Sequence, residues 1–402
     1  MRIAERWQFL VAISVVHLGK FYPPAPGGIE THLQTLATSQ ARLGADVRVI
    51  CVQHADPAGN DVTFRRFTRT YTTDEIDGPV KIRRVGKLAS VARFDVCPSL
   101  IGALREVRRQ RPDVVHLHTP NPTMLIALAL IGSVAPVVVT HHSDIVRQRW
   151  LRHAVTPFEK IVYGRAKRIL TTSPLYLEGS ASLAKYRSKV TPLPMGIDLD
   201  PFLNPSAAAL EHARRLRSAH GELLWLMVGR IIYYKGIEIA LRALQSVPGR
   251  LLMIGTGPLL EPMRQLANEL KVADRVIWRG HAEASELIGA YRAATALWFP
   301  SIARSEGYGL VQVEALASGC PVINTAIPYS GVSWVSPHGE TGLTVPVNDA
   351  TVFAAAVRRL IDENGLRETL GTRGRERAIK HFSQGHMAEE SLAIYQSIRK
   401  SA

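Results

Sequence analysis

An α/β fold of two doubly wound domains in tandem is predicted by two features of this 402-residue chain. Short β-rich runs alternate with helical segments from residue 9 onward, the pattern that gives parallel strands joined by crossover helices. The series pauses at Pro192-Leu193-Pro194 and a polar, Ala-rich segment at 204–220, then repeats. A hydrophobic content of 46% supplies two ordinary cores and excludes disorder over most of the length.

Residues 9–16 open the first series. This apolar run follows Arg2 and Arg6 as a signal peptide would, but it leads into His17-Leu18-Gly19-Lys20 rather than a small-residue cleavage site, so a buried strand is expected. An amphipathic helix over 31–43 follows, then strands at 47–52, 114–117, 137–140 and 169–172. The apolar run 124–135 is shorter than the ~20 residues that a bilayer crossing takes, and is expected as a core helix. Strands of the second series are expected at 223–228, 250–254, 275–278, 296–299 and 322–324. The expected domains are 1–200 and 201–382, with residues 383–402 holding a final helix.

The formal charge is +15, and most of it lies in the first half, where 27 Lys and Arg face 16 Asp and Glu. Residues 63–111 alone hold twelve basic groups, among them Arg65, Arg66, Arg69, Lys81, Arg83, Arg84, Lys87, Arg105, Arg108, Arg109 and Arg111. Such a surface attracts anions: a nucleic acid, an anionic membrane or a phosphate-bearing lipid; it also serves as a plain solvated face. No zinc-finger spacing or aromatic RNA-binding motif accompanies the charge. Cys51, Cys97 and Cys320 are odd in number and far apart, which argues for a reducing compartment and against a disulfide or zinc framework.

Ligands of doubly wound sheets bind beyond the carboxyl ends of strands, at glycine-bearing turns into helices. Three such turns occur here: Gly27-Gly28-Ile29-Glu30, Gly229-Arg230 to Lys235-Gly236, and Gly255-Thr256-Gly257. The last lacks the third glycine of a dinucleotide fingerprint and is followed by Pro258, so a tight turn is expected there. Arg230 and Lys235 bracket the start of a helix, where two cations suit a departing diphosphate.

Further on, Ser305-Glu306-Gly307-Tyr308-Gly309-Leu310 precedes Glu314-Ala315-Leu316. The glycines let the backbone approach a ligand, the helix start at 309–311 suits phosphate, and Glu314 suits the paired hydroxyls of a ribose. Glu306 on the loop suits sugar hydroxyls. That combination is what a nucleotide-sugar site needs.

His141 and His142 lie just past a strand end, and one of them is expected to face the ligand while the other points away. His116 and His118 share a strand face without an acidic partner, so core or cleft-lining roles are expected rather than a metal site. Asp198-Leu199-Asp200 imitates a metal-binding Asp-x-Asp but sits at the domain junction, and a structural role is expected.

Taken together, Gly27-Gly28-Ile29-Glu30, Thr140-His141-His142-Ser143-Asp144, Pro194-Met195-Gly196-Ile197-Asp198, Gly229-Arg230 to Lys235-Gly236 and the paired glutamates resemble glycosyltransferase family 4, and the resemblance spans nearly the whole chain. It implies the GT-B fold, with two Rossmann-like domains facing each other across a deep cleft, the first for acceptor and the second for nucleotide sugar. By motif, it implies that Arg230 and Lys235 contact the donor phosphates. Glu306 and the backbone of Gly307, Tyr308, Gly309 and Leu310 would hold the donor sugar and phosphate, Glu314 the ribose, His142 the cleft, and Gly28 the diphosphate. Met195 stands where the family often has Asn.

The implied chemistry is retaining hexosyl transfer without a protein nucleophile or essential metal, the leaving phosphate taking the proton of the acceptor hydroxyl. Catalysis would then rest on His142, Glu306, Arg230 and Lys235. The forms Ile231-Ile232-Tyr233-Tyr234-Lys235-Gly236 and His142-Ser143-Asp144-Ile145-Val146 resemble bacterial exopolysaccharide and O-antigen sugar transferases, which favours GDP-mannose as donor and a polyprenyl-diphosphate-linked saccharide as acceptor. It also implies a cytoplasmic protein, peripheral on the inner membrane face. The alternatives are a transferase of glucose or N-acetylglucosamine from a UDP-sugar, a pyridoxal-phosphate phosphorylase, and a non-enzymatic nucleic-acid-binding protein.

Overall fold

The computed structural model describes residues 13–400 apart from 26, 55–64, 67–68, 92–93 and 144–148. The chain divides into one unit of Met1–Gly196 with Gln384–Ala402 and a second of Ile197–Ser383. The junction thus falls at Gly196 rather than at residue 200. Ile197 donates its N–H to Phe382 O at 2.9 Å, and this ties the segment after it to the second unit.

In the first unit an eight-stranded sheet is built from β1 (Ser14–Leu18), β2 (Asp46–Val52), β4 (Thr73–Asp77), β5 (Val80–Val85), β8 (Val114–Thr119), β9 (Val137–His141), β10 (Arg168–Thr171) and β11 (Val190–Pro192). Between these, β3 (Arg65–Arg66), β6 (Ala89–Val91) and β7 (Phe94–Val96) form a small antiparallel sheet. The large sheet runs β11-β10-β9-β8-β1-β2-β5-β4, parallel except at β4. Of the expected first strand at 9–16, only the end lies within the described residues.

The β4–β5 hairpin is absent from the sequence expectation, and it revises the basic surface. Acidic Thr73–Asp77 runs antiparallel to basic Val80–Val85, with Asp74 opposite Arg83. Arg83 is paired with Asp74 at 2.8 Å and Glu106 at 2.5 Å, and Arg84 with Glu75 at 2.9 Å. Arg84 is buried and also donates to the carbonyls of Tyr22 and Pro23. Lys87 is buried as well. The outward charge that remains includes Arg105, Arg108, Arg109 and Arg111, at the helix Ser99–Gln110 and its end, whose inner face carries Leu100, Ala103, Leu104 and Val107. The side chains of Arg65 and Arg66 lie outside the described set.

The expected core helix spans Pro122–Ile131; Pro122 starts it and the Asn121 side chain caps it by accepting from Met124 N–H at 3.2 Å. The last helix, Gln384–Lys400, belongs to the first unit. Its Met387, Leu392, Tyr395 and Ile398 pack with Ile13, Leu36, Val138 and Leu170.

In the second unit the strands are β12 (Leu224–Val228), β13 (Arg250–Ile254), β14 (Val276–Gly280), β15 (Ala296–Phe299), β16 (Val322–Thr325) and β17 (Gly342–Val345). They are all parallel, in the order β14-β13-β12-β15-β16-β17. This is the dinucleotide-type order 3-2-1-4-5-6, whose switch point lies between its first and fourth strands. Trp225 and Trp298 on those two strands stack at 5.3 Å in the core. The polar, Ala-rich segment 204–220 holds the helix Ala207–His220, capped by Ser206. The three cysteines are buried and free.

Candidate active site

The second unit's switch point is where its expected site residues gather. Gly229 leaves β12 at φ 135, and the loop returns through a 3-10 turn at Tyr233–Lys235. Gly236 follows at φ 65, and a Cβ there would stand 1.8 Å from Pro300 O, so only glycine lets this loop lie against the one after β15. Ile302 N–H donates to Tyr234 O at 2.8 Å and joins the two loops. Their charged side chains therefore meet. Lys235 Nζ lies 2.5 Å from Glu306 Oε2 and 5.0 Å above the Phe299 ring, with both members of the pair mostly buried. Ser301 Oγ adds a hydrogen bond to Glu306 at 3.2 Å.

Lys235 thus carries a partner that its sequence position did not suggest, and the phosphate-type and sugar-type residues form one pair. A carboxylate and an ammonium this close neutralise each other in a site of low water content. The ammonium keeps two further N–H donors for a ligand anion. Arg230 is exposed, and among the described residues it has no ion-pair partner.

The 255–257 turn supports these loops. A Cβ on Gly255 would lie 1.9 Å from Gly229 O, and one on Gly257 would lie 2.4 Å from Ile231 O. Ile231 N–H donates to Thr256 O at 2.8 Å. The glycines that imitate a dinucleotide fingerprint here serve backbone packing.

Gly309, at φ 80, opens the helix Leu310–Ala317, and no side chain caps it. Its first amides, on Leu310 and Val311, have no acceptor within the helix. The Gly307 carbonyl accepts from Gly331 N–H at 2.9 Å. Tyr308 is buried, with its ring 6.3 Å from Trp334 and 6.1 Å from Phe382, so its side chain packs inward among aromatic rings. Glu314 accepts from Tyr291 OH at 2.7 Å, and burial raises its pKa above the usual carboxylate range. Asp198 and Asp200 make local bonds, Asp200 N–H to Asp198 at 3.1 Å and Asn204 to Asp200 at 2.8 Å.

In the first unit, Gly28 starts the helix Gly28–Arg42, exposed and without a capping side chain; a Cβ there would meet nothing within 4 Å. The same helix carries His32, whose ring lies 4.9 Å from that of His142. The two adjacent histidines diverge. His141 bonds Tyr163 OH at 2.7 Å, and His142 bonds His118 at 3.2 Å. Asp144 lies outside the described residues.

His116 and His118 are not isolated core histidines, because β1 and the first helix bring His17 and His32 to them. His17, His116 and His118, and likewise His32, His118 and His142, present ring nitrogens within 4.8 Å of one another, a donor set that a late first-row cation could use. All five are buried. Burial lowers His17 and His32 to about 4, and holds His116, His118 and His142 well below 6.5, so the cluster is neutral at pH 7. His17 and His32 escaped the sequence reading because they lie on other elements, and the parallel register His17 to His116 is set only by the sheet.

Two family models match in tandem: Glycosyltransferase Family 4 over residues 26–201 and Glycosyl transferases group 1 over residues 210–377. The chain is 31% identical to the D-rhamnosyltransferase WbpZ of Pseudomonas aeruginosa, over 92% of each protein. It is 25% identical to the O-antigen chain mannosyltransferase C of Escherichia coli, over 96% of this chain and 99% of the relative. The solved structure of Anabaena Alr3699/HepE in complex with UDP superposes with a TM-score of 0.74 at 16% identity, covering 96% of this chain and 100% of that one. With two matched models in series and a relative of this identity along nearly its whole length, the chain belongs to the GT-B glycosyltransferases of family 4.

Proposed function

We propose that this glycosyltransferase moves a hexosyl group of manno configuration, mannose favoured, from a GDP-sugar to a lipid-linked saccharide in the synthesis of a cell-surface polysaccharide such as O-antigen. The carrying observation is the pair of bacterial relatives, one named for D-rhamnose and one for mannose. D-Rhamnose is 6-deoxymannose, so both names describe sugars with the same axial 2-hydroxyl.

In this reading Arg230 and the two remaining donors of Lys235 take the diphosphate, together with the amides at Leu310 and Val311. Glu314, anchored through Tyr291, takes the ribose hydroxyls with its other oxygen. Within the second unit Glu306 and the backbone from Gly307 to Leu310 orient the donor sugar; within the first, His142 bonds a hydroxyl of a saccharide ligand. Gly28, at the start of its helix in the first unit, leaves the backbone open to a ligand because no side chain obstructs it. Transfer proceeds with retention: the bond from the anomeric carbon to the leaving phosphate breaks, the acceptor oxygen bonds on the same face, and the acceptor proton passes to the phosphate. Neither glutamate is a nucleophile, and no metal is needed. The arginines at Ser99–Gln110 and Arg111 support contact with an anionic membrane or a polyprenyl diphosphate.

The test is a transfer assay over GDP-, UDP- and ADP-sugars with EDTA present and the product anomer assigned by NMR. GDP-mannose or GDP-rhamnose should be used with retention. An inverted product, or a UDP-sugar used in preference, sinks the respective part. Flotation with anionic and neutral liposomes tests the membrane contact, and equal behaviour on both sinks it.

A further inference from the structure

The hydrogen bonds around the histidine cluster favour one assignment of protons, because the reversed set would forfeit the bond from Ser391 to Ala388 O, and it starts at Gln40. Gln40 is fully buried on the helix Gly28–Arg42. Its amide nitrogen donates to Ser391 Oγ at 2.7 Å and to Tyr395 OH at 3.2 Å, both on the last helix of the same unit. Ser391 spends its own proton on Ala388 O at 2.7 Å, so toward Gln40 it only accepts. The amide is thereby oriented, and its oxygen, 2.8 Å from His17 Nε2, must accept.

Three steps follow, because a neutral imidazole carries one N–H and one lone pair. His17 holds its proton on Nε2, so its Nδ1 accepts from His118 Nε2–H at 3.0 Å. His118 Nδ1 is then bare and accepts from His142 Nε2–H at 3.2 Å. His142 is left with a lone pair on Nδ1, which has no hydrogen-bond partner among the described residues. A second branch agrees: Tyr395 OH, already accepting from Gln40, donates to His116 Nδ1 at 2.6 Å, and His116 donates from Nε2 to Thr140 Oγ1 at 2.6 Å.

We propose that Gln40 is a positioning residue for the transfer reaction: through His17 and His118 its amide sets the tautomer of His142, which presents Nδ1 as an acceptor for a hydroxyl of the sugar ligand. This rests on His142 being a ligand-contacting residue. Reversal of the amide would place a proton on His142 Nδ1, and the ring would then donate to that hydroxyl instead of accepting its proton. A carboxylate orients a catalytic imidazole in some hydrolases by the same logic; here a neutral amide does so across two intervening rings.

The experiment is long-range 1H–15N correlation of ligand-free protein labelled in histidine, at a pH above the titration of the cluster. His17, His116, His118 and His142 should all show protonated Nε2 and bare Nδ1. Gln40→Leu should leave His142 a mixture of tautomers and lower kcat about five- to tenfold, the size of one lost hydrogen bond, with the donor KM unchanged. Tyr395→Phe should alter His116 and leave His142 as it was.

A wild-type His142 protonated on Nδ1 overturns the proposal even if Gln40→Leu does not fold. So does a Tyr395→Phe variant whose His142 changes, or a Gln40→Leu variant with unaltered His142 and kcat. One equivalent of zinc retained through dialysis and lost in His118→Ala also overturns it, because His118, common to both ligand sets, uses both ring nitrogens in the relay and cannot ligate a metal as well. Failure of the transfer reading is separate: wild type with the expected tautomers that transfers from no nucleotide sugar.

Discussion

Lys235 and Glu306 show how one pair can serve two ends. At 2.5 Å and largely buried, each makes the other tolerable in a site that must exclude water, and each keeps unused hydrogen-bonding capacity for a ligand. Lys235→Met leaves a buried carboxylate alone and should cost about 3 kcal/mol of stability, measured by urea unfolding. Adding Glu306→Gln should recover much of that loss while turnover stays abolished. Equal, additive losses from the two substitutions would mean that the pair carries no coupling.

The histidines make a prediction in pH. His17 and His32 titrate near 4 in the fold against 6.5 in the unfolded chain, so the unfolded state binds more protons between those values. Their stabilising effect is complete above 6.5 and is lost as pH falls toward 4, by up to about 1.4 kcal/mol per pH unit for each ring. Denaturant midpoints at pH 7.5, 6 and 5 should therefore fall in that order, and a flat profile would contradict a buried neutral cluster.

At the level of elements, the glycine turns separate into those required by packing and those that are not. Gly236→Ala places a Cβ into Pro300 O at φ 65 and should cost about 2 kcal/mol or more, with loss of donor affinity. Gly28→Ala meets nothing and should leave stability within about 0.5 kcal/mol, so any loss of turnover reports ligand approach. Melting curves and donor titration of both variants distinguish them. Most strands were legible because parallel strands covered on both faces read as continuous β-branched runs. The β4–β5 hairpin was not. Its residues alternate charge and apolar side chains, and only the antiparallel register reveals that Asp74 and Glu75 neutralise Arg83 and Arg84. The helix Ala207–His220 was missed for a related reason: its small buried stripe of Ala209, Ala213 and Leu216 is faint beside its polar face.

At the scale of the molecule, the last helix completes a unit that begins nearly four hundred residues earlier. Met387, Leu392, Tyr395 and Ile398 are each almost fully buried, and each is worth ~1.5–3 kcal/mol of burial. Truncation after Ser383 should therefore remove as much stability as an ordinary domain possesses, ~5–15 kcal/mol. Calorimetry should then show the transition of Ile197–Ser383 preserved and that of the first unit lost. Two intact transitions would contradict the packing. The family, the doubly wound class and the candidate residues from Arg230 to Glu314 were determined by sequence, because strand-turn-helix chemistry is local and its glycines and charges lie close along the chain. The ion pair of Lys235 with Glu306 and the relay from Gln40 to His142 were decided by tertiary structure alone. Their members sit on separate loops, strands and helices, and no local pattern records which side chains a sheet order and register will bring within hydrogen-bonding distance.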